Sequence, residues 1–296
     1  MRTRRLALAE GITAGVLFGT AAIFIRFVQS VDTFSIVVWR LIIASLTLTA
    51  VLILLKKSFS VNLVRRNLMS LLALSFFLGL HFIFFISAVK DTTILNATVL
   101  VNTSPIFSMI VSVIFLRLRP SRFSLVGLLI SFVGVCVIAY AETVTKPVSG
   151  SSPSLKGDLE AILAAFVESF YLNYGKKIRG QMSILSIMLP IYLLTAIIVG
   201  AIGVTTTAKV LTLPGDAAII VPLLGLGILP TAVAHTLYFS SLSNLKSFET
   251  ATLALLEPVG ATILGIAFFV EIPAYIFILG AALVLFGIFF VVKQKD

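Results

Sequence analysis

Charge is what this chain of 296 residues has least of. Asp, Glu, Lys and Arg make up 11% of it and hydrophobic residues 59%, whereas soluble domains carry about 25% charged and about 45–50% apolar residues. So little polar surface cannot cover a water-exposed body of this length, which excludes a soluble globular protein. Cysteine is nearly missing as well. The lone Cys136 lies in an apolar run, so an intrachain disulfide is excluded and a buried or lipid-facing place is expected for it. Catalytic signatures are wanting too. There is no Gly-rich segment ending in Lys-Ser/Thr, no His-Glu-x-x-His, no Cys-x-x-Cys and no Gly-x-Ser-x-Gly. An enzyme, a nucleotide hydrolase, a metal site and a bound cofactor are therefore not expected. Lysine is absent from the middle of every apolar run, which excludes a Schiff-base chromophore.

What is present is a series of long apolar runs. They fall at 7–28, 34–55, 68–89, 94–116, 122–140, 157–178, 183–203, 217–242, 248–270 and 273–292. A spanning helix needs about 20 mostly apolar residues, so the expectation is ten transmembrane helices. Transmembrane strands would instead show alternating segments of about ten residues. The first run follows Met-Arg-Thr-Arg-Arg like a signal peptide. It is too long for an h-region, and nine more runs follow, so a retained span is expected. Of the 22 Lys and Arg residues, 16 fall on one side if the N-terminus is inside, and 4 fall in the opposite loops. By the positive-inside rule both termini are then cytoplasmic. The net charge of +10 thus records topology and gives no reason to expect nucleic acid, since the basic residues are scattered rather than gathered in one patch.

The chain also repeats itself. Adding 153 to a position carries Pro105 to Pro258, Pro120 to Pro273, Gly127 to Gly280 and Gly134 to Gly287, with Phe85 on Tyr238 and Ser87 on Ser240. Residues 1–140 and 157–296 read as two halves joined by a linker at 141–156 rich in Pro, Ser and Thr. Five spans per half is an odd number, so the second half enters the membrane from the opposite side. Two five-helix inverted repeats are a secondary-transporter architecture. The fold class expected is an all-α polytopic membrane protein.

Leu95–Tyr140 contains Asn102-Thr-Ser-Pro-Ile-Phe and Gly127-Leu-Leu-Ile-Ser-Phe-Val-Gly. The second half contains Ser241-Leu-Ser-Asn-Leu, Leu255-Leu-Glu-Pro-Val-Gly and Gly280–Gly287, and it opens on Gly157-Asp-Leu. These stretches resemble EamA-type repeats of the drug/metabolite transporter superfamily, and the resemblance covers nearly the whole chain. It implies export somewhat more than uptake, and rocking of four-helix pieces with the fifth and tenth spans as supports. The family's Glu-Arg pair at the ends of the fourth and ninth spans is only half kept, as Leu118-Arg119 and as Glu271-Ile272.

Polar residues deep within spans are costly and default to functional candidates. Glu168 lies near the middle of the sixth span, on a stripe with Glu160, Ala164, Tyr171 and Gly175. Glu257, beside Pro258, lies near the middle of the ninth. Asn102 and Pro105 stand at comparable depth in the fourth span, His81 in the third, and Thr231, His235 and Tyr238 in the eighth. Pro105 and Pro258 are hinge candidates, because a proline frees a backbone carbonyl that only a cavity or neighbouring protein can accept. For Glu257, the histidines and the tyrosines, a structural role is the competing reading. Arg40, at the start of the second span, either snorkels outward or binds a carboxylate or phosphate at the cavity mouth. Arg26 is read as snorkelling, and Glu10 and Glu249 as solvated near span ends. Desolvation disfavours a charged carboxylate, so Glu168 or Glu257 could couple a proton to transport.

The function expected is a secondary transporter in the cytoplasmic membrane that exports a small polar or amphoteric metabolite, such as an amino acid, by alternating access around a midplane cavity. Efflux of bulky cationic compounds is the alternative, since acids among aromatics also suit a cation. A channel would need a filter built by symmetric subunits, and a scaffold would not explain acids at midplane. The expected partners are a small-molecule substrate and the lipid bilayer, and a monomer and a homodimer fit the sequence equally.

Overall fold

Several helices start where a polar side chain takes up their first N–H groups. The computed structural model describes residues 3–118, 120–145, 154–206, 215–261 and 275–293, and all regular elements among them are helical. Helix α1 (Arg4–Phe27) begins where Thr3 Oγ1 accepts the Leu6 N–H at 3.2 Å. Helix α2 (Thr33–Leu54) begins where the Asp32 carboxylate accepts the N–H groups of Phe34 and Ser35 at 2.9 and 3.0 Å. Both satisfy donors that a helix start leaves open. A short α3 (Val61–Arg66) leads into α4 (Leu68–Asp91), then α5 (Ile94–Val101), α6 (Ser104–Leu116) and α7 (Arg122–Thr145). Further along come α8 (Leu155–Arg179), α9 (Ile184–Thr206) and α10 (Ala217–Leu226). A π-helical stretch at Gly227–His235 precedes α11 (Thr236–Ser241), and α12 (Ser247–Leu253) ends in a 3₁₀ turn at Ala254–Leu256. The chain is helical again at 257–261. The last element is α13 (Tyr275–Val292).

Seven stretches among the described residues are long and apolar enough to cross a membrane: α1, α2, α4, 96–116, α9, the run from α10 to α11, and α13. The apolar part of α7, Arg122–Ile138, is shorter. Helix α8 has spanning length but carries Glu160, Glu168 and a basic last turn. The ninth run stops at residue 261 of the described chain. Arg119, Glu271, Ile272 and Pro273, which carried the half-kept pairs and one repeat match, lie outside the described residues. Helix α7 continues to Thr145 and α8 starts at Leu155, and residues 146–153 of the expected linker lie outside the described residues.

Helices α7 and α13 pack antiparallel through small residues. A Cβ on Gly127 would stand 2.7 Å from the Gly287 carbonyl oxygen, and one on Gly134 would stand 2.8 Å from that of Gly280. Between them Ser131 Oγ donates to Val284 O at 3.3 Å. Small residues let spanning helices approach closely enough for van der Waals packing. The pairs are also reciprocal. Exchanging each glycine for its equivalent 153 positions away turns the pair Gly127–Gly287 into Gly280–Gly134, as a two-fold axis between the helices requires. Elsewhere large apolar side chains stay exposed, among them Phe115, Leu129, Ile197, Val221 and Leu285. In a chain of this composition such a surface meets lipid, and Cys136 shares it.

The two ends of the bundle are closed by polar contacts. At the N-terminal end Arg4 Nη2 donates to Glu249 Oε1 at 2.8 Å and to Val292 O at 2.9 Å, joining α1, α12 and α13. Glu249 therefore departs from the expectation of a solvated acid. It is buried, and its Oε2 also accepts the Lys246 N–H at 2.7 Å. At the opposite end Asp158 Oδ1 accepts from Thr92 Oγ1 at 2.9 Å and from Asn96 Nδ2 at 3.1 Å, joining α5 to α8.

Candidate functional site

The helices that break do so around one space. Phe18 and Ala21 of α1, Arg40 of α2, and His81, Phe82 and Phe85 of α4 form part of its wall. Val101, Asn102, Ser104 and Pro105 at the α5–α6 junction, Glu168 of α8, Pro230 and His235 of the π-helical stretch, and Ala254 and Glu257 at the end of α12 complete it. The cavity left between these side chains measures about 40 Å³. The three interruptions, at Asn102–Thr103, Gly227–His235 and Ala254–Leu256, all border it. Irregular backbone at membrane depth is tolerated where it lines a cavity.

Each interruption has a local cause in proline chemistry, since a proline cannot bond the carbonyl four residues back. Pro230 leaves Leu226 O without its helical donor, and the Thr231 hydroxyl donates to that oxygen at 2.6 Å. The repair widens the turn into the π form and fixes the Thr231 hydroxyl in one orientation. Its free lone pair then accepts Arg40 Nε–H at 2.9 Å. From the other side the Tyr192 hydroxyl donates to Thr231 O at 2.8 Å. Pro258 likewise cannot bond Ala254 O, and the Glu257 N–H takes that oxygen in a tighter 3₁₀ turn. That places the Glu257 carboxyl at the cavity wall. Pro105 stands in the first turn of α6, and Asn102 Nδ2 donates back to Thr98 O at 2.7 Å at the end of α5.

Of the residues singled out from sequence, Glu168, Glu257, Asn102, His81, His235, Arg40 and Pro105 line the cavity together. Glu168 and Glu257 lie within electrostatic reach of one another, with the Asn102 amide against Glu257. His81 Nδ1 is 3.1 Å from Ala164 O. The His81 and His235 rings stand edge to face at 6.1 Å. His235 Nδ1 is buried and makes no hydrogen bond. Tyr238 and Tyr171 lie behind the wall. The Tyr238 hydroxyl faces Glu168 without a hydrogen bond of ordinary geometry, and the Tyr171 hydroxyl points to Met188 Sδ at 3.8 Å. Pro258 stands directly behind Glu257.

Arg40 does not snorkel. It is 1% exposed, with its guanidinium carbon 3.9 Å from the centre of the Phe82 ring. Arg26, by contrast, reaches the end of its helix and donates to Thr92 O at 3.3 Å. Sequence reasoning missed Phe18 and Phe82, whose rings carry no signal in a chain with 24 phenylalanines. It also missed Tyr192, which supports Thr231. The Pro and Gly residues crowded into 222–230 were the available sign of a broken helix.

Among the described residues no group of three His, Cys, Asp or Glu side chains is arranged to hold a metal ion. The arrangement instead offers separate cationic, acidic and aromatic surfaces around one small space. The profile of the EamA-like transporter family matches the chain twice, over residues 6–140 and 155–293. An uncharacterized transporter of Archaeoglobus fulgidus is 28% identical over 202 residues, covering 67% of this chain and 68% of its own length. A second from the same organism is 25% identical over 97% of this chain and 96% of its own. The uncharacterized transporter YxxF of Bacillus subtilis is 22% identical over 90% of this chain and 83% of its own length. A crystal structure of 18% sequence identity superposes with a TM-score of 0.80, covering 97% of this chain and 96% of that one. At that identity the likeness speaks for the fold alone.

Proposed function

Because the chain belongs to the EamA-like transporter family, we propose that it exports a small polar or amphoteric metabolite, such as an amino acid or a related compound, across the cytoplasmic membrane. The observation that carries this reading is the single cavity in which Arg40, His81, His235, Asn102, Glu168 and Glu257 converge. A site that holds both a cation and two acids suits a solute that bears both signs of charge. Ten spans in two inverted halves, 1–140 and 157–296, with both termini cytoplasmic, complete the proposed architecture. Alternating access then follows from rocking of the helices that border the cavity. Among the described residues none of α7 or α13 lines the cavity wall, which supports their role as static struts.

Proton coupling belongs to the same reading. Two adjacent carboxyl groups in a water-poor cavity cannot both remain charged at low cost, so one gains or loses a proton as substrate enters or leaves. Counterflow into proteoliposomes tests this. The wild-type rate is expected to vary with pH, and the double variant Glu168→Gln/Glu257→Gln to be flat. Full pH dependence in the double variant would remove the coupling. Metabolite profiling of cells and medium, with and without the protein, identifies the exported compound, and unchanged pools in both would revive a scaffold role. Efflux of bulky cations is the second reading, favoured by two acids beside Phe18, Phe82 and Phe85. The buried guanidinium of Arg40 in the same wall opposes it.

A further inference from the structure

We propose that Arg40 is the anchor for a carboxylate on the transported molecule, so that the protein selects amines that also carry a carboxylate over amines that do not. The proposal rests on the transporter reading above and narrows its substrate class. A guanidinium presents five N–H donors in a rigid fork. That of Arg40 is buried, yet its Nε–H reaches only the Thr231 hydroxyl, its face lies on Phe82, and its Nη1 donors have no partner. Among the described residues no carboxylate pairs with it: the ionisable groups it meets are Tyr192 and His235. A buried charge without a counter-ion costs several kcal/mol, and hydrophobic packing alone would be served better by an apolar side chain. Arg40 lines the cavity, so its open fork faces the space a substrate occupies.

The support behind Arg40 has the features of a prepared site. Pro230 frees the Leu226 carbonyl, Thr231 is oriented by bonding it, and Tyr192 clamps the Thr231 carbonyl, so the guanidinium is held before any ligand arrives. Preorganised donors cost little to order when the ligand binds. A carboxylate matches the fork with two oxygens and brings one negative charge. A phosphate dianion would bring a second charge into a cavity that already contains Glu168 and Glu257. Those two acids lie beside Tyr238 and Asn102, and none of Arg40's contacts is shared with them. The cation site for an ammonium and the anion site for a carboxylate are therefore separate parts of one wall, with the rings of Phe82, His235 and Phe18 between them.

The test is a binding measurement on the purified full chain in nanodiscs with two matched pairs of probes, lysine against cadaverine and phenylalanine against phenethylamine. The second member of each pair lacks only the carboxylate. In at least one pair the acid is expected to bind the wild type about tenfold or more tightly than its amine, in line with a charge-assisted hydrogen bond. Arg40→Met should erase that preference without weakening the amine. Arg40→Lys should retain part of it, since an ammonium keeps the charge but lacks the fork. If Arg40→Met does not fold, Thr231→Val serves instead. It keeps the guanidinium but removes its Nε acceptor, and is expected to weaken the acid alone. Amines that bind as tightly as their acids, or an acid preference that survives Arg40→Met, would overturn the proposal. Binding by none of the four probes would overturn it as well. A change in metabolite pools on expression would still stand for the transporter reading, so the two failures are distinct.

Discussion

Replacing Glu249 by alanine should loosen the N-terminal end of the bundle more than a substitution at a span end ordinarily would. The carboxylate accepts two bonds from Arg4, at 2.8 and 3.3 Å, and a third from the Lys246 N–H at 2.7 Å. The third bond caps α12, and losing such a cap costs about 1 kcal/mol. The ion pair is one-sided in burial, with side-chain exposures of 34% for Arg4 and 3% for Glu249. Arg4 can recover water when its partner goes, so its loss costs about 1–2 kcal/mol rather than the 3–5 kcal/mol of a fully buried pair. The sum is about 2–3 kcal/mol. At about 2–4 °C per kcal/mol for a chain of this size, the apparent Tm in nanodiscs should fall by roughly 5–10 °C. A cycle with Arg4→Ala isolates the pair, and a coupling of about 1–2 kcal/mol is expected. A Glu249→Ala protein that melts within 1 °C or so of wild type, or additive single substitutions, would show that this contact holds nothing together.

Two further outcomes follow from packing inside the bundle. Asn173 joins α8 to α6 with every side-chain bond made: Ser112 Oγ donates to its Oδ1 at 2.6 Å, and its Nδ2 reaches Ser108 O and Ser169 O at 3.1 and 2.8 Å. Asn173→Ala leaves the buried Ser112 hydroxyl without its acceptor and removes the α8–α6 link. It should cost about 1–3 kcal/mol, read as a lowered Tm with no change in substrate preference. Gly134→Val would drive a side chain into the Gly280 carbonyl and the backbone of α13. It should reduce folded yield severely, as measured by size-exclusion chromatography after extraction. Recovery by a bulky residue at 134 at wild-type yield would mean that α7 and α13 do not pack as described.

The long periodicities were legible in the chain because hydrophobicity acts over whole segments. Helix existence, the central polar candidates and the repeat could be read from composition and spacing alone. Local backbone form was not. The fourth, eighth and ninth runs are interrupted at Asn102–Thr103, Gly227–His235 and Ala254–Leu256, although hydropathy passes through all three unbroken. At the last two, what decides is how the carbonyl orphaned by a proline is satisfied, and that depends on one neighbouring hydroxyl or N–H rather than on the average of a window. Glu249 was misread for a related reason. Its partner Arg4 is 245 positions away, and no spacing rule links the two. Arg40 was left between two readings, because a cation near a span end looks the same in sequence whether water or a cavity receives it.

The repeat and the site obey different rules, and the cavity shows where they part. Three pairs of positions separated by 153 both line it: Val101 with Ala254, Ser104 with Glu257, and Phe82 with His235. The last pair is in direct contact, ring centres 4.9 Å apart. Equivalent residues that meet across a space place the axis relating the two halves through that space. The scaffold positions keep their identity under the exchange, as the glycines of α7 and α13 do. The lining positions do not, since each pair sets a polar or acidic side chain against an apolar one, or a small side chain against a larger one. In the proposed inverted architecture, a framework used in two opposed orientations gains from being the same in both. A bound solute with distinct ends gains nothing from a symmetric wall, which would offer each end the same partners. Arg40 on one side of the Phe82–His235 contact, and Glu168 with Glu257 on the other, are the chemical form of that asymmetry. On the proposed reading, the few residues at which the two halves differ set the orientation of the solute in the cavity.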